Sequence, residues 1–70
     1  MENRLAELRK AQGLTQQDLA QIMKVSRQTI IAIEAGRFNP SVILAIKMSR
    51  FFSRPVDEIF IVGKEDENGL

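Results

Sequence analysis

The sequence predicts an all-α fold in one small domain, and three observations carry the prediction. Apolar residues recur at three- and four-residue spacing in successive short stretches, the period of a helix with one buried face. Each stretch is punctuated: Thr15, Ser26, Ser41 and Pro55 are starting residues, and Gly13 and Gly36 are stops. The chain has 70 residues and no cysteine or histidine, so neither disulfides nor a usual zinc site can staple it. A chain this short lies near the limit at which an apolar core offsets chain entropy, so stability must come from helix packing or dimerisation.

The stretch from Thr15 to Gly36, TQQDLAQIMKVSRQTIIAIEAG, organises the rest. Thr15 caps its first helix, and Asp18, three residues on, completes a capping box and complements the helix dipole. Leu19, Ile22 and Met23 recur at helical spacing with Ala20 beside them, while Gln16, Gln17 and Gln21 lie on the polar side. Ser26 caps a second helix, with Ile30 and Ile33 inward and Arg27, Gln28 and Thr29 in its exposed first turn. Only Lys24, Val25 and the cap join the two, which forces a sharp crossing, and Ala20 provides the small side chain where the backbones meet. These are the parts of a helix-turn-helix.

Gln16, Ala20, Val25, Ile30, Ile33 and the run Ile33-Glu34-Ala35-Gly36-Arg37 resemble the phage-repressor (Xre/Cro) helix-turn-helix family, over about Asn3 to Phe60. The resemblance implies a lambda-repressor-like five-helix DNA-binding domain over residues 1–62, with the motif at 15–36. There are departures. Lys24 and Ser53 stand where the family often has glycine, Ile31 where a polar residue is common, and Ala35 where asparagine is common. A side chain in the left-handed turn at Lys24 costs roughly 1 kcal/mol.

Around the motif, Leu5 and Leu8 mark a packing helix over Arg4 to Gln12, with Arg9 and Lys10 either reaching the phosphate backbone or belonging to a solvated face. Arg37-Phe38-Asn39-Pro40-Ser41 is a loop whose Arg37 and Asn39 match phosphate-contacting positions of the family, or simply form a capped turn. Val42 to Phe52 is helical, with Leu44, Ala45, Met48 and Phe52 inward; Ile43, Ile46 and Phe51 widen the apolar arc toward an interface or a more enclosed helix. Pro55 opens a last short helix with Asp57 and Glu58 in its first turn. Ile59 and Phe60 are expected to close the core, and the run Ile59-Phe60-Ile61-Val62 can extend as a strand or finish as helix; a strand would have no partner in the chain, so a two-fold copy is expected to pair with it and dimerise the protein. Residues 63–70 form an acidic tail expected to be disordered.

Helix-turn-helix proteins place the start of their second motif helix in the major groove. Arg27 can donate two bonds to guanine O6 and N7, and Gln28 can pair with adenine N6 and N7. Thr29 can bond a phosphate or meet a thymine methyl, and Ile31 can pack on thymine methyls or belong to a protein interface. Gln16 resembles the family glutamine that anchors a phosphate; Arg9, Lys24, Arg37 and Asn39 are the other candidate phosphate contacts, and Glu34 is expected in a bond within the domain. The net charge of +1 hides a segregation: residues 1–56 carry nine Lys or Arg against four acids, and 57–70 one Lys against five acids. A basic body supplies phosphate attraction while an acidic tail stays away from DNA.

Catalysis has no foothold without His, Cys, a Gly-rich phosphate loop or a convergent carboxylate pair. No cofactor or metal is expected, and no run is long enough for a membrane span or a signal-peptide core, which points to the cytoplasm. The expected function is a sequence-specific transcriptional regulator, a repressor by family habit, that binds a palindromic operator in double-stranded DNA as a homodimer without a small-molecule effector domain. The alternative is a protein-interaction module, such as the antitoxin or adaptor half of a pair.

Overall fold

In the computed structural model, which describes residues 1–67, the chain runs β1 (Glu2–Asn3), α1 (Leu5–Ala11), α2 (Gln16–Met23), α3 (Arg27–Glu34), α4 (Val42–Phe52), α5 (Val56–Ile59), β2 (Phe60–Ile61) and α6 (Lys64–Glu67). The helix starts follow the capping chemistry. Thr15 Oγ1 accepts from the Asp18 N–H at 3.0 Å, and the Thr15 N–H donates back to Asp18 Oδ2 at 2.9 Å. Ser26 and Ser41 each accept the N–H three residues on, Thr29 and Leu44, at 3.1 Å. The helix ends use left-handed residues: Gly13 and Gly36, and also Lys24 at φ 60° and Ser53 at φ 54°. Both non-glycine residues are exposed, so their side chains meet solvent rather than the core.

α2 and α3 pack together, and α4 and α5 close the back of the pair. The core gathers Leu5 from α1, Leu19, Ala20 and Met23 from α2, and Ile30 and Ile33 from α3 with Leu44, Met48 and Phe52 from α4. Ala20 is 1% exposed, as the close approach of two helices requires. Ile22 departs from the expected inward stripe and is 41% exposed, because Leu19 and Met23, four apart, already define the buried line. Lys47 on α4 donates to the Met23 carbonyl at 2.6 Å, tying α4 to the end of α2.

The largest departure from expectation concerns the apolar run after α5. Its strand finds a partner within the chain: β2 pairs antiparallel with β1, in the register Glu2 with Ile61 and Asn3 with Phe60. The Arg4 N–H extends the tie to the Ile59 carbonyl at 2.8 Å. Ile59 and Phe60 are buried in this chain's own core, so the expected dimer strand of Ile59, Phe60, Ile61 and Val62 is corrected: the first two are unavailable to a partner, while Ile61 and Val62 remain exposed. The physical reason is the N-terminal segment, whose backbone satisfies the strand before any second molecule is needed. The fold is therefore mostly helical with a two-stranded sheet and one more helical turn than the expected five helices.

That turn, α6, replaces the structureless start expected for the tail. Asp66 Oδ2 accepts the Gly63 N–H at 2.9 Å, and the Gly63 carbonyl accepts from Asp66 and Glu67, so a cap nucleates it. The rest of the expected disordered segment, residues 68–70, lies outside the described residues. No helix among the described residues is long and apolar enough to cross a membrane.

Two outcomes follow. Truncating Ile59 to alanine should lower unfolding free energy by about 2–5 kcal/mol, since the side chain is fully enclosed; a denaturant titration with an unchanged midpoint would contradict this packing. The Thr15 backbone N–H, and secondarily its hydroxyl, hold the Asp18 carboxyl below its ordinary range. That contribution is complete above about pH 4, where unfolded aspartate is ionised, and is lost as pH falls through the lowered folded-state value. The melting-temperature gap between wild type and Asp18→Asn should accordingly narrow in acid, and a gap independent of pH would show that ionisation of the box contributes nothing.

Candidate nucleic-acid interface

Glu34, in the last turn of α3, is the hub beneath the site. Its carboxylate accepts Arg9 Nε at 2.7 Å, Arg9 Nη2 at 3.2 Å and Gln16 Nε2 at 3.1 Å. Arg9 Nη1 donates to the Leu14 carbonyl at 2.7 Å. The side chains of Arg9 and Glu34 are only 9% and 7% exposed, so this is a forked, desolvated ion pair that joins α1, the α1–α2 connection, α2 and α3. Expected as a phosphate contact, Arg9 is corrected to an internal strut: a buried carboxylate requires a partnered cation, and Arg9 supplies it. Lys10, its neighbour in α1, is exposed.

The same hub orients Gln16. One N–H of its half-buried amide is held by Glu34, so the side chain is fixed at the first turn of α2. On α3, Arg27 and Gln28 are exposed, and no side-chain hydrogen bond or ion pair engages them among the described residues. Thr29 is half-buried, with its hydroxyl 2.9 Å from Ser26 Oγ, so that hydroxyl belongs to the helix cap. Ile31 is half-buried on the same helix. Lys24, Arg37 and Asn39 are exposed, the first in the turn of the motif and the others in the α3–α4 loop. The exposed candidates thus lie on α3, the turn before it and the loop that follows, with half-buried Gln16 on α2.

The N-terminal segment escaped sequence reasoning. Asn3 Nδ2 donates to the Ile33 carbonyl at 2.8 Å, satisfying the end of α3, while Asn3 Oδ1 accepts the Leu5 N–H at 3.1 Å and opens α1. Asn3 is a capping residue type just before an apolar periodic run, and that was the available signal. Phe38, between Arg37 and Asn39, is 54% exposed and also went unremarked. No group of acidic residues among the described residues is disposed to hold a metal ion.

A capped helix-turn-helix with exposed arginine and glutamine on its second helix, backed by further helices, defines a DNA-binding domain. The model of the helix-turn-helix family matches residues 5–59, and the chain belongs to that family, in its Xre/Cro branch. It is similar to an HTH-type transcriptional regulator of Methanocaldococcus jannaschii, 49% identical over 67 residues, covering 96% of this chain and 100% of the relative. It is also similar to the HTH-type transcriptional regulator YgzD of Bacillus subtilis, 40% identical over 68 residues and covering 97% and 100%. Among solved structures, the restriction-modification controller protein C.AhdI of Aeromonas hydrophila superposes with a TM-score of 0.71 at 33% identity, covering 81% of this chain and 86% of that one. A transcriptional regulator of Listeria innocua has a TM-score of 0.71 at 20% identity over 91% and 64%, a likeness of fold. The chain is a DNA-binding transcriptional regulator.

Glu34→Gln should leave the Arg9 guanidinium enclosed without its counter-charge and cost about 3–5 kcal/mol of stability. Chemical denaturation of the variant measures it; a loss within the scatter of ordinary surface substitutions would mean that the pair is not the strut described.

Proposed function

We propose that the protein is a repressor that binds a palindromic operator as a homodimer, each protomer laying the start of α3 in the major groove of one half-site. The observation that carries this reading is the pair Arg27 and Gln28: both exposed, both without a side-chain partner among the described residues, in the first turn of a helix whose far end is braced by Glu34 and Asn3. Arg27 reads guanine through O6 and N7, and Gln28 reads adenine through N6 and N7. Thr29 and Ile31 meet thymine methyls beside them.

Gln16 offers its second amide N–H to a phosphate oxygen, with Glu34 fixing the orientation. Lys24, Arg37 and Asn39 complete the backbone clamp, which sets register and carries no sequence information. One small recognition helix gives limited affinity, and two coupled helices reading half-sites about 34–36 Å apart along the duplex supply the rest. Occupying the operator is then enough to block transcription, and the DNA target implies action in the cytoplasm. The relatives named as transcriptional regulators and the controller protein are consistent with this role.

The test is selection of bound duplexes from a random pool at fixed, near-physiological salt, with wild type, Arg27→Ala and Gln16→Ala in parallel. Wild type should enrich a two-fold-symmetric motif. Arg27→Ala should flatten one position in each half-site by about 1–3 kcal/mol, whereas Gln16→Ala should weaken all sequences about equally. Equal loss on specific and random DNA for Arg27→Ala would remove its role as base reader. No enrichment by wild type would sink the operator reading and favour a protein-interaction module.

A further inference from the structure

We propose that Lys47 of α4 is a positioning residue for sequence reading: through the Met23 carbonyl it sets the turn of the motif, and so aims Arg27 and Gln28 at the bases. The inference rests on the reading above in which those two side chains contact base edges, and it names what directs them. Lys47 Nζ donates to the Met23 carbonyl at 2.6 Å, from 24 positions away in the chain. Met23 ends α2, and only Lys24, Val25 and Ser26 separate it from Arg27, the first residue of α3. The peptide that Lys47 grips is the one that opens the turn.

The other polar bonds of the turn are made within the motif. The Val25 N–H returns to the Ala20 carbonyl at 3.0 Å, and Ser26 Oγ accepts the Thr29 N–H at 3.1 Å. Lys24 between them stands at φ 60°, a left-handed conformation that a side chain disfavours and that persists only where the surroundings impose it. Polar ties from outside the motif to α3 gather at its far end, where Asn3 holds the Ile33 carbonyl and Arg9 holds Glu34. At the reading end, Lys47 is the one such tie among the described residues.

Charge explains why a lysine stands there. α2 has no basic residue in its own last turn, so the partial negative charge of its terminal carbonyls is met by a cation from α4. No carboxylate lies within ion-pair distance of that ammonium among the described residues, and the charge-assisted bond to Met23 has no rival there. The root of the side chain is fixed, since Leu44 and Met48, three positions before it and one after, are buried in the core. The half-buried stem therefore transmits the position of the core to the turn. A two-bond contact to guanine requires its donors to be held within about 0.5 Å, so release of the turn would be felt first as lost discrimination.

The assignment is tested with wild type, Lys47→Met and Lys47→Arg, titrated at two salt concentrations against the selected duplex, a duplex changed at the base pair read by Arg27, and random DNA. Lys47→Met keeps a long stem without donor or charge, and Lys47→Arg keeps both. Lys47→Met should lower the affinity ratio between selected and changed duplex about tenfold while leaving binding to random DNA close to wild type; Lys47→Arg should restore most of the ratio. A loss of stability alone would not move that ratio in protein shown by circular dichroism to be folded at the assay temperature. Lys47→Gln, whose shorter stem withdraws the donor, replaces Lys47→Met if the latter loses native helix content. An unchanged ratio in a folded variant would overturn the positioning role. So would equal loss on every duplex with a shallower salt dependence, the mark of a plain phosphate contact. Unfolding of both Lys47→Met and Lys47→Gln would overturn it as well, making Lys47 a requirement of the fold. A wild type that enriches no motif would overturn the base-reading function, and this assignment with it.

Discussion

The buried pair between Arg9 and Glu34 is the constraint on which the reading surface depends. A desolvated carboxylate at the end of the recognition helix is tolerable only with a forked cation and a second donor, and these come from α1 and from Gln16 of α2. The pair therefore ties three helices to one another beside the apolar core they share. It also links stability with the reading surface, because Gln16, which completes the shell of Glu34, stands in the first turn of the first motif helix. Loss of the pair would loosen the helix and misdirect the glutamine together.

Apolar packing and backbone capping complete the frame around that hub. Ala20 lets α2 and α3 approach, while Lys47 and Asn3 satisfy the carbonyls at the ends of those two helices. The result is asymmetric: one side of the motif is enclosed and fully bonded, and the other is left with arginine, glutamine and lysine in water. Sequence readers need this division, since base discrimination requires side chains without internal partners held by a backbone that does not yield.

Much of this arrangement was legible in the chain. Thr15, Ser26 and Ser41 carry local capping chemistry, and the buried lines through Leu19 and Met23 or Leu44 and Met48 follow from helical periodicity, so the motif and its frame could be located. Glu34 was placed inside the domain by the same reasoning that a carboxylate does not face phosphate. Its partner was not: Arg9 sits in a helical turn beside Lys10, and nothing local distinguishes the arginine that turns inward from the lysine that stays in water. The strand pairing failed for a related reason. Glu2 and Asn3 are too short a segment to show period-two alternation, and only the folded chain brings them to Phe60 and Ile61.

The pairing of β1 with β2 also bears on how the protein comes into being. Asn3, which closes the end of the recognition helix, is held in place by a strand synthesised near the other end of the domain. During translation the two motif helices emerge early, yet their brace is complete only when residue 61 has left the ribosome. Nascent chains would thus be poor DNA binders, and binding competence would arrive late, with the closing of the chain on itself.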